Sequence, residues 1–570
     1  VTTLVSRLGR ASSRPHAITF ITGDTATRVP WAQLHEEARA TAAALQARGI
    51  APRDHIALLG PTTRALVTAI QAGWLAGATV IVLPLPMRMG SLEEFVDQTR
   101  LRIAAADARL VLIDPDLAAF VEPRPGDAPM VGLDQVTGLM GGQASAYEEP
   151  KINEDDLAVL QFTSGSTADP KGVMLPHRTI LANLDGAAAA AQLDPEQDVL
   201  VSWLPLYHDM GLIGTLTLPM ITGMELVLAA PQDFLAQPGR WMEWMSTYGG
   251  TATAGPNFSY ALAARALRRA APGSLDLSRW RIALNGAEPV NPETVDAFCE
   301  AAASHGFRPG ASFCAFGMAE LAIAGTFPEP LAGMRIDSVD RTSLEREHYA
   351  APVFDRPAGD PSVRRFAVLG RPVPGLEMRI CDPDTGRSMA EREVGELEIR
   401  GTSVTPGYYK RPDATEAAFH TDAGSSPGAD AGRSPGGAWL RTGDLAYLVD
   451  GELVLCGRIK DVIIVGGRNV FPEDVERAAE MVDGVRAGNV IAFGVEGHRG
   501  KEALVIVAET KADDLSDLRT AVASRVSEAV GLRPETVVLV APGTLPKTSS
   551  GKLQRSLCKQ RYLGAELQLV

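Results

Sequence analysis

The run Leu160-Gln161-Phe162-Thr163-Ser164-Gly165-Ser166-Thr167-Ala168-Asp169-Pro170-Lys171-Gly172-Val173 decides how the chain reads. An apolar stretch, Leu157 to Leu160, leads into it and reads as a buried strand. Hydroxyl residues interleaved with glycine follow, then one lysine and a second glycine. Glycine lets successive backbone N–H groups converge on an anion, and such a concavity binds phosphate. Around Gly165, the hydroxyls of Thr163, Ser164, Ser166 and Thr167 add donors, and Lys171 adds a positive charge. A polyphosphate suits this loop; local composition alone leaves an ordinary polar turn open. It is not the common G-x-x-x-x-G-K-[ST] loop, because Pro170 stands where a glycine should precede the lysine.

Working outward, 570 residues are too many for one core and imply two or three domains. The hydrophobic content of 45% with 22% charged residues is that of a soluble globular protein. A net charge of −15 argues against a broad nucleic-acid surface. The five cysteines are scattered without a C-x-x-C pair, which fits reduced thiols in a cytoplasm and no cysteine zinc site. Val1 to Arg14 lacks the apolar core of a signal peptide. Met210 to Ala230 is nearly long enough to span a membrane, but Pro219 and three glycines divide it into a short helix and a strand.

Before the loop, apolar residues at helical spacing predict helices over Trp31 to Arg48, Ala65 to Leu75 and Leu92 to Ala106. Strands are expected at His55 to Leu59, Thr79 to Leu85 and Leu110 to Ile113, and the alternation argues for a mostly parallel α/β sheet. Pro123 to Pro150 reads as a crossing loop. Beyond Lys171, Thr179 to Gln192 reads as a helix, and Val199 onward as a strand delivering His208 to a turn. Open α/β sheets place ligand-contacting residues at such strand ends, although a lone histidine also serves structure. Two more strand-to-turn junctions follow, Asn285-Gly286-Ala287-Glu288-Pro289 and Phe316-Gly317-Met318-Ala319-Glu320. Glu320 suits a magnesium ion that bridges phosphates, or else is simply a helix N-terminal acid.

From about residue 367 apolar and polar residues alternate, as in an antiparallel sheet that closes toward a small barrel. Thr421 to Ala438 reads as a mobile Gly/Ser/Pro/Ala loop. Asp444, after Arg441-Thr442-Gly443, suits the paired hydroxyls of a ribose or is a turn aspartate. The charged break Gly457-Arg458-Ile459-Lys460-Asp461 precedes a compact α/β module. Near the end of that module Lys552 rides a turn rich in serine and glycine. The expected fold is therefore α/β. A large N-terminal domain, residues 1–457, holds two packed α/β subdomains and a small β-barrel. The charged break at 458–461 leads to a small α/β C-terminal domain, 462–570.

Taken in order, these segments resemble the adenylate-forming superfamily of acyl- and aryl-CoA synthetases, luciferases and peptide-synthetase adenylation domains. Phe162 to Thr167 with Pro170-Lys171-Gly172 resembles its phosphate loop, and Phe316 to Glu320 its Y-G-x-T-E motif with Phe for Tyr and Ala for Thr. Arg441 to Asp444, the Gly457-to-Asp461 break and Pro546-Lys547-Thr548-Ser549-Ser550-Gly551-Lys552 match further motifs in the family's order. Trp203 to Gly214, Asn285 to Val290 and Gly466 to Glu476 are similar to fatty acyl-AMP ligases in particular. So is a long segment between Met334 and Phe366, which resembles the insertion that restrains the small domain in those ligases and disfavours CoA.

The resemblance implies that a fatty acid and ATP give acyl-adenylate and pyrophosphate, with Mg2+ as cofactor. The acyl group then passes to the phosphopantetheine thiol of an acyl carrier protein, feeding polyketide or lipopeptide synthesis. Thr163, Ser164, Gly165, Ser166, Thr167 and Lys171 would hold the phosphates, and Glu320 with Thr167 the magnesium. Gly286, Ala287, Glu288, Phe316, Gly317, Met318 and Ala319 would surround the adenine, and Asp444 and Arg458 the ribose. His208 would meet the incoming carboxylate beside an apolar tunnel, Lys552 would be the catalytic lysine, and Lys460 the pivot of a hinge at 458–461 on which a mobile small domain turns. Alternatives are a fatty acyl-CoA synthetase and an inactive homologue that binds acyl ligands or partners. A nucleic-acid ligase lacks support from charge or motif.

Overall fold

The strand Leu157–Phe162 leads to the loop because its side chains, apolar but for Gln161, are covered on both faces. It pairs parallel with Thr79–Val82 and antiparallel with Gly172–Pro176. These data come from a computed structural model that describes all residues except 1, 86–91, 122–123, 138–145, 164–170, 358, 422–436, 466–467, 497–501, 513, 549–551 and 568–570. Ser164, Gly165, Ser166, Thr167 and most of the segment expected to be a mobile loop therefore lie outside the described residues.

The first sheet runs in the order Met130–Gly132, Leu110–Ile113, His55–Leu59, Thr79–Val82, Leu157–Phe162, Gly172–Pro176, and only its last pair is antiparallel. The segment expected to be a plain crossing loop, 123–150, instead contributes the edge strand Met130–Gly132 and the helical turn Leu133–Val136. Elements of three and four residues are too short to show a period. A second, seven-stranded sheet runs Ser312–Cys314, Ile282–Gly286, Ala252–Pro256, Val199–Ser202, Glu225–Ala229, Ala17–Thr22, Thr25–Pro30. It is parallel except for its terminal hairpin. Leu58 and Val80 of the first sheet share one buried cluster with Leu200 and Leu226 of the second, so the sheets hold a common core. Met210 onward folds as a π-helical stretch, Met210–Thr217, then the helix Leu218–Thr222 and the strand Glu225–Ala229. Among the described residues no helix is long and apolar enough to cross a membrane.

Past residue 367 the expected barrel is an open, curled half-barrel. Leu376–Cys381, Gly395–Gly401 and Trp439–Val449 pair antiparallel in sequence, and Phe419–His420 and Glu452–Arg458 both add to Trp439–Val449. In the smaller C-terminal α/β domain, Val485–Glu496 pairs antiparallel with Glu502–Thr510, which pairs parallel with Thr536–Val540. Its strands alternate as a sheet covered on both sides must. Val490, Leu504 and Ile506 face Val475, Val522 and Val526, while Phe493, Val505 and Val507 face Cys558.

The strands Ile336–Asp340 and Val363–Ala367 pair with each other and bracket the turn Ser343–Glu347. This is the segment expected to be an insertion, and it grips the small domain. Arg341 Nη1 and Arg364 Nε lie 2.7 and 2.8 Å from the same Asp474 oxygen, Arg468 Nε donates to Glu345 at 2.8 Å, and Asn469 lies 3.0 Å from His348. The Arg364 guanidinium also stands 4.3 Å from the Phe471 ring and 4.5 Å from that of Phe366. Burial disfavours the charge of Asp474, but Arg364 and Arg341 hold its carboxyl below the ordinary carboxylate range. The stabilisation from that depressed folded-state pKa is present at neutral pH and is lost as pH falls through it. Asp474→Ala should leave Arg364 without its carboxylate, take from Arg341 the nearer of its two, and destabilise the docked small domain by about 3–5 kcal/mol, read by calorimetry; an unchanged transition would mean that this contact holds nothing.

Candidate active site

Ser202 ends a buried strand, and the chain turns at Pro205, whose carbonyl accepts from the His208 N–H at 3.2 Å. Gly211 makes that turn possible, since a Cβ there would lie 2.1 Å from the Pro205 oxygen. His208 Nδ1 pairs with Asp209 Oδ1, and the same oxygen accepts from the Met210 N–H at 2.8 Å. Burial opposes ionisation of Asp209, yet His208 and the nearby Lys552 hold its carboxyl below the usual range.

The strand Ile282–Gly286 delivers Ala287 in the left-handed region, φ 67°, and so turns Glu288 inward. Glu288 Oε1 accepts from the Phe258 N–H at 2.7 Å, in the first turn of the helix Asn257–Leu267, where the macrodipole favours a carboxylate. Burial nevertheless raises its pKa, against that hydrogen bond and the charges of Lys552 and Lys547. Gly317 admits the Ile323 carbonyl, which would stand 2.0 Å from a Cβ. The short turn Ala319–Leu321 then places Glu320. Met318 donates its N–H to the Ile323 carbonyl at 2.9 Å, and Ala319 is buried. Phe316 is buried in one apolar cluster with Leu321 and Ala324.

Glu320 Oε1 accepts from the Tyr408 hydroxyl at 2.9 Å. Burial raises the Glu320 pKa, opposed by this hydrogen bond, while the nearby Asp209 carboxylate pushes the same way as burial. The Tyr408 ring has a second neighbour, the Lys171 ammonium, 5.1 Å from its centroid. Tyr408 is fixed because its backbone pairs with Val173, and Tyr409 donates its N–H to the Gly172 carbonyl at 2.8 Å. Thr163 donates its N–H to the Lys171 carbonyl at 3.2 Å, so the two ends of the phosphate-type loop are tied together.

Asp444 and Arg458 face each other across two paired strands, Nε to Oδ1 3.0 Å. Burial raises the Asp444 pKa against the effect of Arg458. Lys460, on the turn Ile459–Asp461, has its pKa lowered by burial and then by Arg458, and it also feels Lys171. Lys552 comes from the far end of the small domain. Its turn is closed by the Thr548 N–H donating to the Lys552 carbonyl at 2.7 Å and by the Lys552 N–H donating to Thr548 Oγ1 at 3.1 Å. Burial lowers the Lys552 pKa; Asp209 and Glu288 oppose that, and Arg458 adds to it. One cleft thus gathers His208, Glu288, Glu320, Asp444, Arg458, Lys171, Lys460 and Lys552. Asp209 and Tyr408 belong to it too, although the sequence singles out neither; the Gly407-Tyr408-Tyr409 run is the available signal, since it sits on no periodic element.

Among the described residues no three His, Cys, Asp or Glu side chains gather as a metal cage. A buried carboxylate beside a phosphate-type loop still fits magnesium, which takes few protein carboxylates and fills its octahedron with phosphate and water oxygens.

Residues 9–409 match the pattern of AMP-binding enzymes. The chain belongs to the AMP-binding enzyme family. Residues 460–570 of this AMP-binding enzyme match the AMP domain of Disco-interacting protein 2-like proteins. It is 40% identical to “Putative ligase Rv1013” of Mycobacterium tuberculosis, over 93% of this chain and 94% of that protein. It is 32% identical to the medium-chain-fatty-acid–[acyl-carrier-protein] ligase JamA of Moorena producens, over 94% and 90%. A structure from studies of fatty acyl-adenylate ligases of E. coli and L. pneumophila superposes with a TM-score of 0.89 at 30% identity, covering 99% of this chain and 98% of that one. The chemistry of this enzyme is ATP-dependent adenylation.

Tyr408→Phe keeps the ring beside Lys171 but leaves Glu320 without its donor. That hydrogen bond lowers the Glu320 pKa, so its loss raises it further and the acid limb of the pH–rate profile should move to higher pH. Pyrophosphate release at neutral pH should fall roughly tenfold, for about 1.4 kcal/mol. An unmoved acid limb would rule out this role.

Proposed function

We propose that this AMP-binding enzyme activates a fatty acid as its acyl-adenylate and hands the acyl group to the phosphopantetheine thiol of an acyl carrier protein. The observation that carries the reading is Lys552, a half-buried small-domain cation close to Asp209 and Glu288 of the large domain. A fatty acid carboxylate oxygen attacks the α-phosphorus of ATP, the bond from that phosphorus to the bridging oxygen breaks, and pyrophosphate leaves. Two anions must meet, so catalysis here is positioning and cancellation of charge. Lys552 receives the carboxylate and α-phosphate oxygens, a task that suits a compact point charge. His208, held by Asp209, lies where the carboxylate enters.

Thr163 to Lys171 hold the β- and γ-phosphates, Asp444 and Arg458 the ribose, and Gly286 to Glu288 with Phe316 to Ala319 surround the adenine. Glu320 with Thr167 would hold magnesium, which when bound would neutralise charge on the phosphates. Rotation about Lys460, within a hinge at 458–461 between domains 1–457 and 462–570, then withdraws Lys552. The thiol sulfur attacks the acyl carbon, its proton passes to solvent, and AMP leaves with the anhydride oxygen. The fatty acid and the carrier acceptor are supported by what JamA and the superposed ligases are named for. The Arg341, Arg364 and Glu345 grip on the small domain favours a tethered carrier arm over free CoA, because it restrains how far that domain turns. The reading places the enzyme in the cytoplasm, where ATP and carrier thiols are found.

Incubation with fatty acids from hexanoic to octadecanoic, ATP, magnesium and CoA should accumulate acyl-adenylate; abundant acyl-CoA would instead make it a CoA synthetase. Lys552→Ala should cut adenylate formation by about a hundredfold or more, as expected when a group acting mainly on the transition state is removed.

A further inference from the structure

The residues flanking 549–551, Lys552 among them, are bonded to one another. Besides the Thr548 hydrogen bonds, Lys547 pairs with Leu553, and Gln554 donates its N–H to the Pro546 carbonyl at 2.9 Å. The helix Arg555–Leu563 starts immediately after it. At that junction the Arg555 fork is spread over three carboxylates. Nη1 donates to Asp461 at 2.7 Å, Nη2 reaches both Glu476 oxygens at 2.9 and 3.1 Å, and Nη2 lies 3.5 Å from Glu473. Asp461 is the last residue of the turn Ile459–Asp461, and Glu473 and Glu476 stand on the helix Pro472–Glu480. The partners are well covered, with Arg555 at 18% and Asp461 at 14% side-chain exposure, so the fork has little freedom to re-pair.

We propose that Arg555 is the positioning residue that fixes Lys552 to the hinge, so that hinge angle and lysine position are one variable. This rests on the reading that Lys552 serves adenylate formation. Because Asp461 is bonded to Arg555 within the small domain, the backbone rotation falls N-terminal to it, between Arg458 and Lys460. The lysine turn, Asp461 and the helix Pro472–Glu480 then move as one body. A planar fork suits three carboxylates at fixed angles, which a lysine cannot match. Without it the segment keeps Leu545 on Glu509 and its flanking helix but loses its tie to Asp461, and Lys552 shifts relative to the cleft.

The test uses the full chain, dodecanoic acid and magnesium-ATP, reading pyrophosphate release. Arg555→Gln should lower kcat about a hundredfold, the loss expected of an ångström-scale misplacement, while KM for ATP, which the large domain sets, stays put. In a Lys552→Ala background the same change should cost nothing more, because it acts through the lysine. Asp461→Asn, which keeps Arg555 on Glu476, should lower kcat in the same sense and serves if Arg555→Gln does not fold. Equal losses with and without Lys552, a raised KM for ATP with unchanged kcat, or no loss in either variant would each overturn the proposal. If Lys552→Ala alone kept full activity, the reading of the lysine would fall, and this inference with it.

Discussion

The structure depends on keeping one half-buried ammonium charge between the domains. Transfer of an unpaired lysine out of water is expensive, and burial does press the Lys552 pKa downward. What offsets that cost comes wholly from the other domain, as the carboxylates Asp209 and Glu288, while Arg458 works against it. Domain closure and lysine ionisation are therefore linked. The closed arrangement is favoured when anions line the cleft, and an incoming polyphosphate or carboxylate adds to the charges already there. In the proposed reaction, departure of pyrophosphate would remove part of that attraction and leave the desolvation cost standing.

A second set of contacts acts on the same domain from outside the cleft. Asp474, gripped by Arg341 and Arg364, follows Phe471 and Glu473 closely in sequence, and those two lie beside the hinge strand; a Cβ on Gly457 would come 3.0 Å from the Phe471 ring and 3.7 Å from Glu473. About the proposed hinge at 458–461, such a grip has a short lever arm. It resists large rotations while small angular changes barely stretch it. Asp474 carries a depressed pKa and Glu473 and Glu476 raised ones, with burial the common cost and the nearby arginines the opposing influence. Two neighbouring arginine–carboxylate clusters thus divide the work, one holding the small domain to the large one and the other keeping it rigid.

What the sequence discloses and what it withholds follow from the range of the interactions. Helices such as Trp31–Ala47 and strands such as His55–Leu59 fall where periodicity places them, because each is defined by which side chains meet a nearby core. Lys171, Glu320 and Lys552 stand between such elements, and Asp444 lies within the strand Trp439–Val449 directly after Gly443; glycine and charge mark all four out. Tyr408, Asp209 and Arg555 carry no comparable mark. Tyr408 matters because a strand pairing sets it against Glu320, 88 residues earlier in the chain, and Arg555 because it meets Asp461, 94 residues earlier. A tyrosine or an arginine in isolation is an ordinary surface residue, and only three-dimensional closure turns each into a link between two others. The edge strand Met130–Gly132 escaped for a related reason: three residues become a strand only when Leu110–Ile113 is already there to pair with. Single candidate groups stand out in this chain, and the side chains that touch them do not, since contact is a property of pairs that the linear order keeps far apart.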